Sequence, residues 1–238
     1  MEAPTASIFE RNALLRAQIR AVGAYASSVI DGERGALIAP ELKSEIVGIL
    51  AATESLGSFS PGPSSEAAIG RARSATGRLE AAANEIRSCV EDLDEGPDAY
   101  RVAQRIHEVV REAEAEGVLP PPIVITDLQG RRVEIPPAQA AMVAELTGSE
   151  ARLDLAYGKH TTGRVVSADE TIALQDAGRG HYVVHEQSSL DRPLRAGETV
   201  GIQGRHVLEI DANLDMNPEH DFGSAGLSFD HSQTSDEA

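Results

Sequence analysis

Gly178-Arg179-Gly180-His181-Tyr182-Val183-Val184-His185 is the stretch that decides the fold. Two glycines around one arginine mark a tight turn, because glycine takes positive φ without steric cost. The turn is expected to project Arg179 outward at its tip. Val183 and Val184, behind a glycine-led start, favour a strand over a helix. That choice governs the histidines. On a helix, His181 and His185 would converge; on a strand they share a face but stand about 13 Å apart, at ~3.3 Å per residue.

Working outward, short strand-like runs surround this stretch: GRVVSA (163–168), TIALQDA (171–177), HYVVHE (181–186), ETVGI (198–202) and RHVLEI (205–210). Asp169-Glu170, the Gly-Arg-Gly turn and Arg195-Ala196-Gly197 separate them, with Gly197 as a second structural turn residue. Four or five strands in such a span predict a small, curved, antiparallel barrel of SH3-like size over residues 151–210.

Upstream, the period changes. Ser7 and Glu10 form a capping-box pattern, and a helix to Ile30 follows with Ile8, Leu15, Ile19, Val22, Ala26 and Val29 as its apolar set. Asp31-Gly32 ends it. Pro40 suits the first turn of a second helix carrying Leu42, Ile46, Ile49, Thr53 and Leu56. GSFSPGP (57–63) reads as a loop. Ile69, Ala72, Thr76, Leu79, Ala83, Ile86, Val90 and Leu93 then step alternately by three and four, the seam of a long third helix. Gly96-Pro97 breaks it, and Ala99, Ala103, Ile106, Val110 and Ala113 continue the rhythm in a fourth. Residues 1–117 therefore predict a slim antiparallel helical bundle or coiled coil, with self-association of a second copy expected. Residues 118–150 read as an adaptor: the stiff VLPPP (118–122) as a boundary, a hairpin over Ile123–Ile135 turning at Asp127 to Gly130, and a short helix from Pro136-Pro137 to Leu146, ended by Gly148. The fold class is α+β.

Composition narrows the function classes. The chain has 238 residues, with 38 Asp and Glu against 21 Lys and Arg and a formal net charge of −17. Such a surface repels phosphate backbones and disfavours direct nucleic-acid binding. Residues 211–238 contain no Lys or Arg and no periodicity, which predicts a disordered acidic tail. Cys89 is the single cysteine, so neither an internal disulfide nor a cysteine-rich zinc site is expected. Its place beside the third-helix seam suits a buried, inert thiol. The absence of an apolar segment of membrane-spanning length and of a basic, apolar leader predicts a soluble cytoplasmic protein.

The segment from Gly163 through Gln175, Gly178-Arg179-Gly180, His185 and Leu190 to the Gly197 strand resembles the KfrB domain of plasmid proteins. The resemblance implies a small, mostly β module carried by plasmids and other mobile elements, in a family whose founding member belongs to a set of plasmid maintenance factors that includes a coiled-coil DNA-binding partner. It implies no catalytic residues.

The residues themselves leave alternatives open. Arg179 either clamps a carboxylate or phosphate bidentately or is a solvated turn charge. Gln175 either turns inward to bond the Gly-Arg-Gly backbone or faces solvent. His185 fits a structural hydrogen bond better than a general base. A metal site would need His160 or His206 and a carboxylate folded onto the His181/His185 face, and none is expected. No phosphate-loop, dinucleotide, nucleophile-elbow or zinc-protease motif occurs. The expectation is a non-enzymatic accessory protein without cofactors. Gln175, Arg179, His181, Tyr182 and His185 are its candidate contacts to a protein partner, for example a coiled-coil or DNA-handling protein. The alternative is an acidic inhibitor or nucleic-acid mimic that occupies the basic groove of such a protein.

Overall fold

In the computed structural model the described residues are 7–32, 39–52, 58–62, 64–95, 98–126, 130–148, 151–156 and 160–210. The acidic tail, the hairpin turn at 127–129, the Gly96-Pro97 break, and Thr53 and Leu56 lie outside them.

Among the described residues four α-helices precede β2 (Ile123–Thr126), with the short β1 (Ser58–Phe59) between the second and third. α1 spans Ile8–Ile30 and begins with both halves of the capping box, Glu10 N–H to Ser7 Oγ at 3.2 Å and Ser7 N–H to Glu10 Oε2 at 2.7 Å. α2 spans Ala39–Ala51, with Pro40 in its first turn. α3, Glu66–Glu91, is 26 residues long, about 39 Å at 1.5 Å per residue. α4 spans Ala99–Ala115. The seam residues Leu79, Ala83, Ile86 and Val90 of α3 meet Ile19, Val22 and Ala26 of α1 and Ala103, Ile106 and Val110 of α4 in one core. α4 runs antiparallel to α1, since Arg16 reaches Val118 and Ser27 reaches His107. Gly23 permits the close crossing: a Cβ there would sit 2.9 Å from a Val110 methyl. This seam is thus covered by the chain's own helices.

The sheet differs from the predicted antiparallel barrel. Its strands are β1 (Ser58–Phe59), β4 (Arg152–Leu155), β5 (Thr161–Ala168), β6 (Ile172–Asp176), β7 (His181–Glu186), β8 (Thr199–Gln203) and β9 (His206–Glu209), and β2 (Ile123–Thr126) and β3 (Arg132–Ile135) form a separate hairpin. The order is β4-β7-β6-β5-β8-β9, with β1 also on β5, and no pairing joins β4 to β9. β4 runs parallel to β7, so the sheet is mixed and open. The five strands read from sequence are present; β1 and β4 are additions, and β1 falls inside the stretch read as a loop.

Alternation along β5 sends Val165 and Val166 to two different cores, and the bulge between Val165 and Ser167 returns Ala168 to the Val165 side. On one face Val166, Ile172, Leu174, Tyr182 and Val184 pack with Phe9 and Ala13 of α1, Ala72 of α3, and α5 (Pro137–Thr147). On the other, Val165, Ala173, Val200 and Ile202 are closed over by Leu194 and Leu190. Helices and sheet therefore share a core. Val118 and Leu119, read as the start of a stiff boundary, are each only 2% exposed within the helical core.

Candidate functional site

β6 and β7 are buried on both faces, which fixes where the motif residues go. Ile172 and Leu174 point to the helix side, so Ala173 and Gln175 point to the smaller core; by the same alternation Tyr182 and Val184 face the helices and His185 does not. Gln175, wholly buried, donates from Nε2 to the Gly163 carbonyl at 3.1 Å and the Val200 carbonyl at 2.9 Å. Its Oε1 lies 3.0 Å from His185 Nε2. Because the amide oxygen only accepts, the imidazole proton sits on Nε2. One side chain on β6 thus ties together β5, β7 and β8. Gln175 turns inward, as one of the two readings had it, but onto neighbouring strands and not the Gly-Arg-Gly backbone. Burial pushes the His185 pKa down to about 4, so the ring is neutral at ordinary pH.

Gly163 belongs to the same latch. A Cβ at this position would stand 1.9 Å from the Asp176 carbonyl oxygen, so only glycine lets β5 and β6 close here. Tyr182 is buried at 4% exposure, and burial together with the Asp176 charge pushes its phenol up to about 12. Of the five candidate contacts, Gln175, Tyr182 and His185 are therefore interior.

Arg179 and His181 remain at the surface. The turn closes with Ala177 N–H on the His181 carbonyl at 2.9 Å, His181 N–H on the Gly178 carbonyl at 3.0 Å, and Gly178 N–H on Asp176 Oδ1 at 2.7 Å. Gly178, Arg179 and Gly180 have φ of 88°, 54° and 73°. Arg179 is the one non-glycine with positive φ among the described residues. It is exposed, and its guanidinium makes no hydrogen bond or ion pair with another described residue. His181 Nε2 lies 2.9 Å from Asp154 Oδ2, and Arg152 Nε lies 3.4 Å from the same oxygen. Arg152 N–H bonds the Gly180 carbonyl at 3.0 Å, so β4 brings this cluster beside the turn. Together they make a solvent-facing corner with two arginines and an Asp–His pair.

His160 is exposed, and His206 pairs with Asp191 at 3.1 Å, away from the His181–Asp154 pair. Among the described residues no three His, Cys, Asp or Glu side chains cluster as metal ligands. No described helix is long and apolar enough to cross a membrane. Cys89 is buried in the helical core, and its thiol pKa is raised chiefly by that burial. Gly197 has φ 97° and donates its N–H to the Val165 carbonyl at 2.8 Å.

Sequence reasoning missed a buried polar network. Asn12 and Arg16 of α1, both under 5% exposed, reach inward to Glu145 of α5, itself 6% exposed. Arg16 also donates to the Val118 carbonyl at 2.9 Å, and Thr76 donates to Asn12 Oδ1 at 2.7 Å. The signal available was an asparagine and an arginine spaced by four within an apolar helix.

The β region is a small sheet locked internally by one glutamine, with a charged, exposed turn at its corner. Residues 160–208 match the KfrB Domain family, so the β region of this chain carries a KfrB domain. The match spans β5 to β9 and about a fifth of the chain, leaving β1, β4 and the helices outside. No curated protein and no solved structure matches the chain.

Proposed function

We propose that this chain is a non-enzymatic interaction protein of a plasmid or other mobile genetic element, acting in its maintenance, and that the corner formed by Arg179, Arg152 and the His181–Asp154 pair binds a protein partner. The observation that carries the reading is the KfrB match joined to an arginine the fold does not need. A left-handed arginine costs roughly 1–2 kcal/mol that glycine would avoid. With no hydrogen bond or ion pair to another described residue to offset that strain, a partner's carboxylate that the guanidinium grips with two parallel N–H bonds is the natural compensation.

The test is retention of the carrying element during unselected growth. Deleting the gene is expected to raise loss per generation. Wild type restores retention, Arg179→Ala does not, and the distant surface variant Arg87→Ala does. Full complementation by Arg179→Ala would refute the site, and unchanged retention after deletion would refute the maintenance role.

A second reading, acidic inhibitor or nucleic-acid mimic, is favoured by the excess of 38 acidic over 21 basic residues. It predicts inhibition of a DNA-handling protein that salt abolishes and Arg179→Ala leaves intact.

A further inference from the structure

We infer that the crevice between α1, α3, α5 and the segment following α4 binds a phosphate group, held by Arg16, Arg71 and Arg78. The crevice has a volume of about 240 Å³. That is room for a tetrahedral oxyanion and several waters at ~30 Å³ each. Three arginines line it, and Glu145 is the single acidic residue among its lining. In a chain of net charge −17 this is a concave spot of opposite sign. The inference is independent of the KfrB reading, since no residue of 160–208 lines the crevice.

Two of the guanidiniums are fixed before any ligand arrives. Arg71 donates from Nε to the Glu145 carbonyl at 2.8 Å and from Nη2 to the Leu146 carbonyl at 2.7 Å, gripping the end of α5. Arg16 is held by the Val118 carbonyl and by Glu145 Oε1. Each keeps Nη1 without a partner among the described residues, and a pre-positioned donor loses little freedom on binding. Arg78 is exposed and bonds only loosely, Nη1 to the Glu116 carbonyl at 3.4 Å, so it is free to close over the crevice. Glu145 does not oppose the anion as an ordinary carboxylate would. Its Oε1 is taken by Arg16 and Asn12, while Oε2 is buried with no partner.

Donors arriving from separate helices suit a tetrahedral oxyanion better than a planar carboxylate, whose two oxygens match a single fork. The larger cleft nearby, about 730 Å³, opposes Arg16 and Arg20 with Asp169 and Glu170, two charges of each sign, and so selects no one charge.

Calorimetric titration of the full chain at constant ionic strength tests this. Inorganic phosphate is expected to bind saturably with a Kd on the order of 1 mM or tighter. Arg78→Ala, at an exposed site, weakens it about tenfold or more, and Arg87→Ala leaves it unchanged. Glycerol 1-phosphate titrated in parallel identifies the source: binding of both compounds means the phosphoryl group of an ester, and binding of phosphate alone means the free ion. The inference is overturned by no saturable heat up to about 10 mM phosphate, by Arg78→Ala binding as wild type does, or by acetate binding as tightly as phosphate.

Discussion

Acidification should unlatch the β module through one residue. His185 is neutral in the folded chain, where burial lowers its pKa to about 4 against an ordinary 6.5. Its folded value lies below its unfolded value, so the unfolded chain binds the extra proton between the two. Stability is therefore complete above pH 6.5, falls as pH drops, and has lost the whole contribution near pH 4. At ~1.4 kcal/mol per pH unit, the loss is about 2 kcal/mol at pH 5 and about 3 kcal/mol in full. Protonating the ring also places a charge beside Gln175, whose Oε1 is its hydrogen-bonded neighbour. The assay is urea unfolding followed by circular dichroism at pH 7.5, 6 and 5, on wild type and on His185→Gln. The substituted amide keeps an N–H for Gln175 Oε1 but has no proton to gain. The variant is expected to be about 1 kcal/mol less stable at pH 7.5 from lost ring packing, to overtake wild type a little below pH 6, and to lead by about 1 kcal/mol at pH 5. Subtracting the two profiles cancels every group the substitution leaves alone. Parallel profiles from pH 7.5 to 5 would refute the reasoning, because they would mean the imidazole titrates alike in the folded and unfolded chain.

Three further outcomes follow from the same geometry. Gly163→Ala forces a methyl onto the Asp176 carbonyl, a backbone atom no rotamer can move, and should cost about 3 kcal/mol or more in chemical unfolding; a loss under about 1 kcal/mol would mean the two strands are not this close. Gln175→Leu removes the Nε2 donor shared by the Gly163 and Val200 carbonyls and leaves the His185 Nε2–H without its acceptor, and an expected loss of about 3 kcal/mol would be contradicted by a melting temperature equal to wild type. Arg179→Gly relieves left-handed strain and is expected to raise stability by about 1 kcal/mol while abolishing complementation in the retention assay; a lowered melting temperature would show that the turn does not strain this residue.

What the sequence displayed, and what it hid, follows from the range of the interactions. The α3 seam was legible because steps of three and four persist from Ile69 to Leu93, and β5 to β9 because β-branched pairs alternate with turn glycines. Those signals are local. β1 is two residues in a glycine- and serine-rich stretch, and it is a strand only because Ser167 and Ala168 of β5 offer an edge. β4 depends in the same way on the free side of β7. In α1, the apolar reading counted Leu15 as seam, whereas Asn12 and Arg16 are buried more deeply because Glu145, far along the chain, receives them. Alternation along β7 separated His185 from Val184 but could not say that Leu190 and Leu194 would fold over the outer face. Polar residues read as presented to a partner thus became the interior of a second, smaller core.

That outcome sharpens the functional argument. Gly163 is demanded by a backbone contact, Gly178 and Gly180 by positive φ, Gln175 and His185 by each other and by two carbonyls, and Leu190 by the small core. Each is explained once the sheet has folded, so its presence says nothing about a partner. Arg179 alone runs against the fold: it is charged, exposed and left-handed at a position where glycine would be more stable. A residue that local energetics disfavour, with no hydrogen bond or ion pair to another described residue in compensation, is the ground on which the proposed partner contact rests.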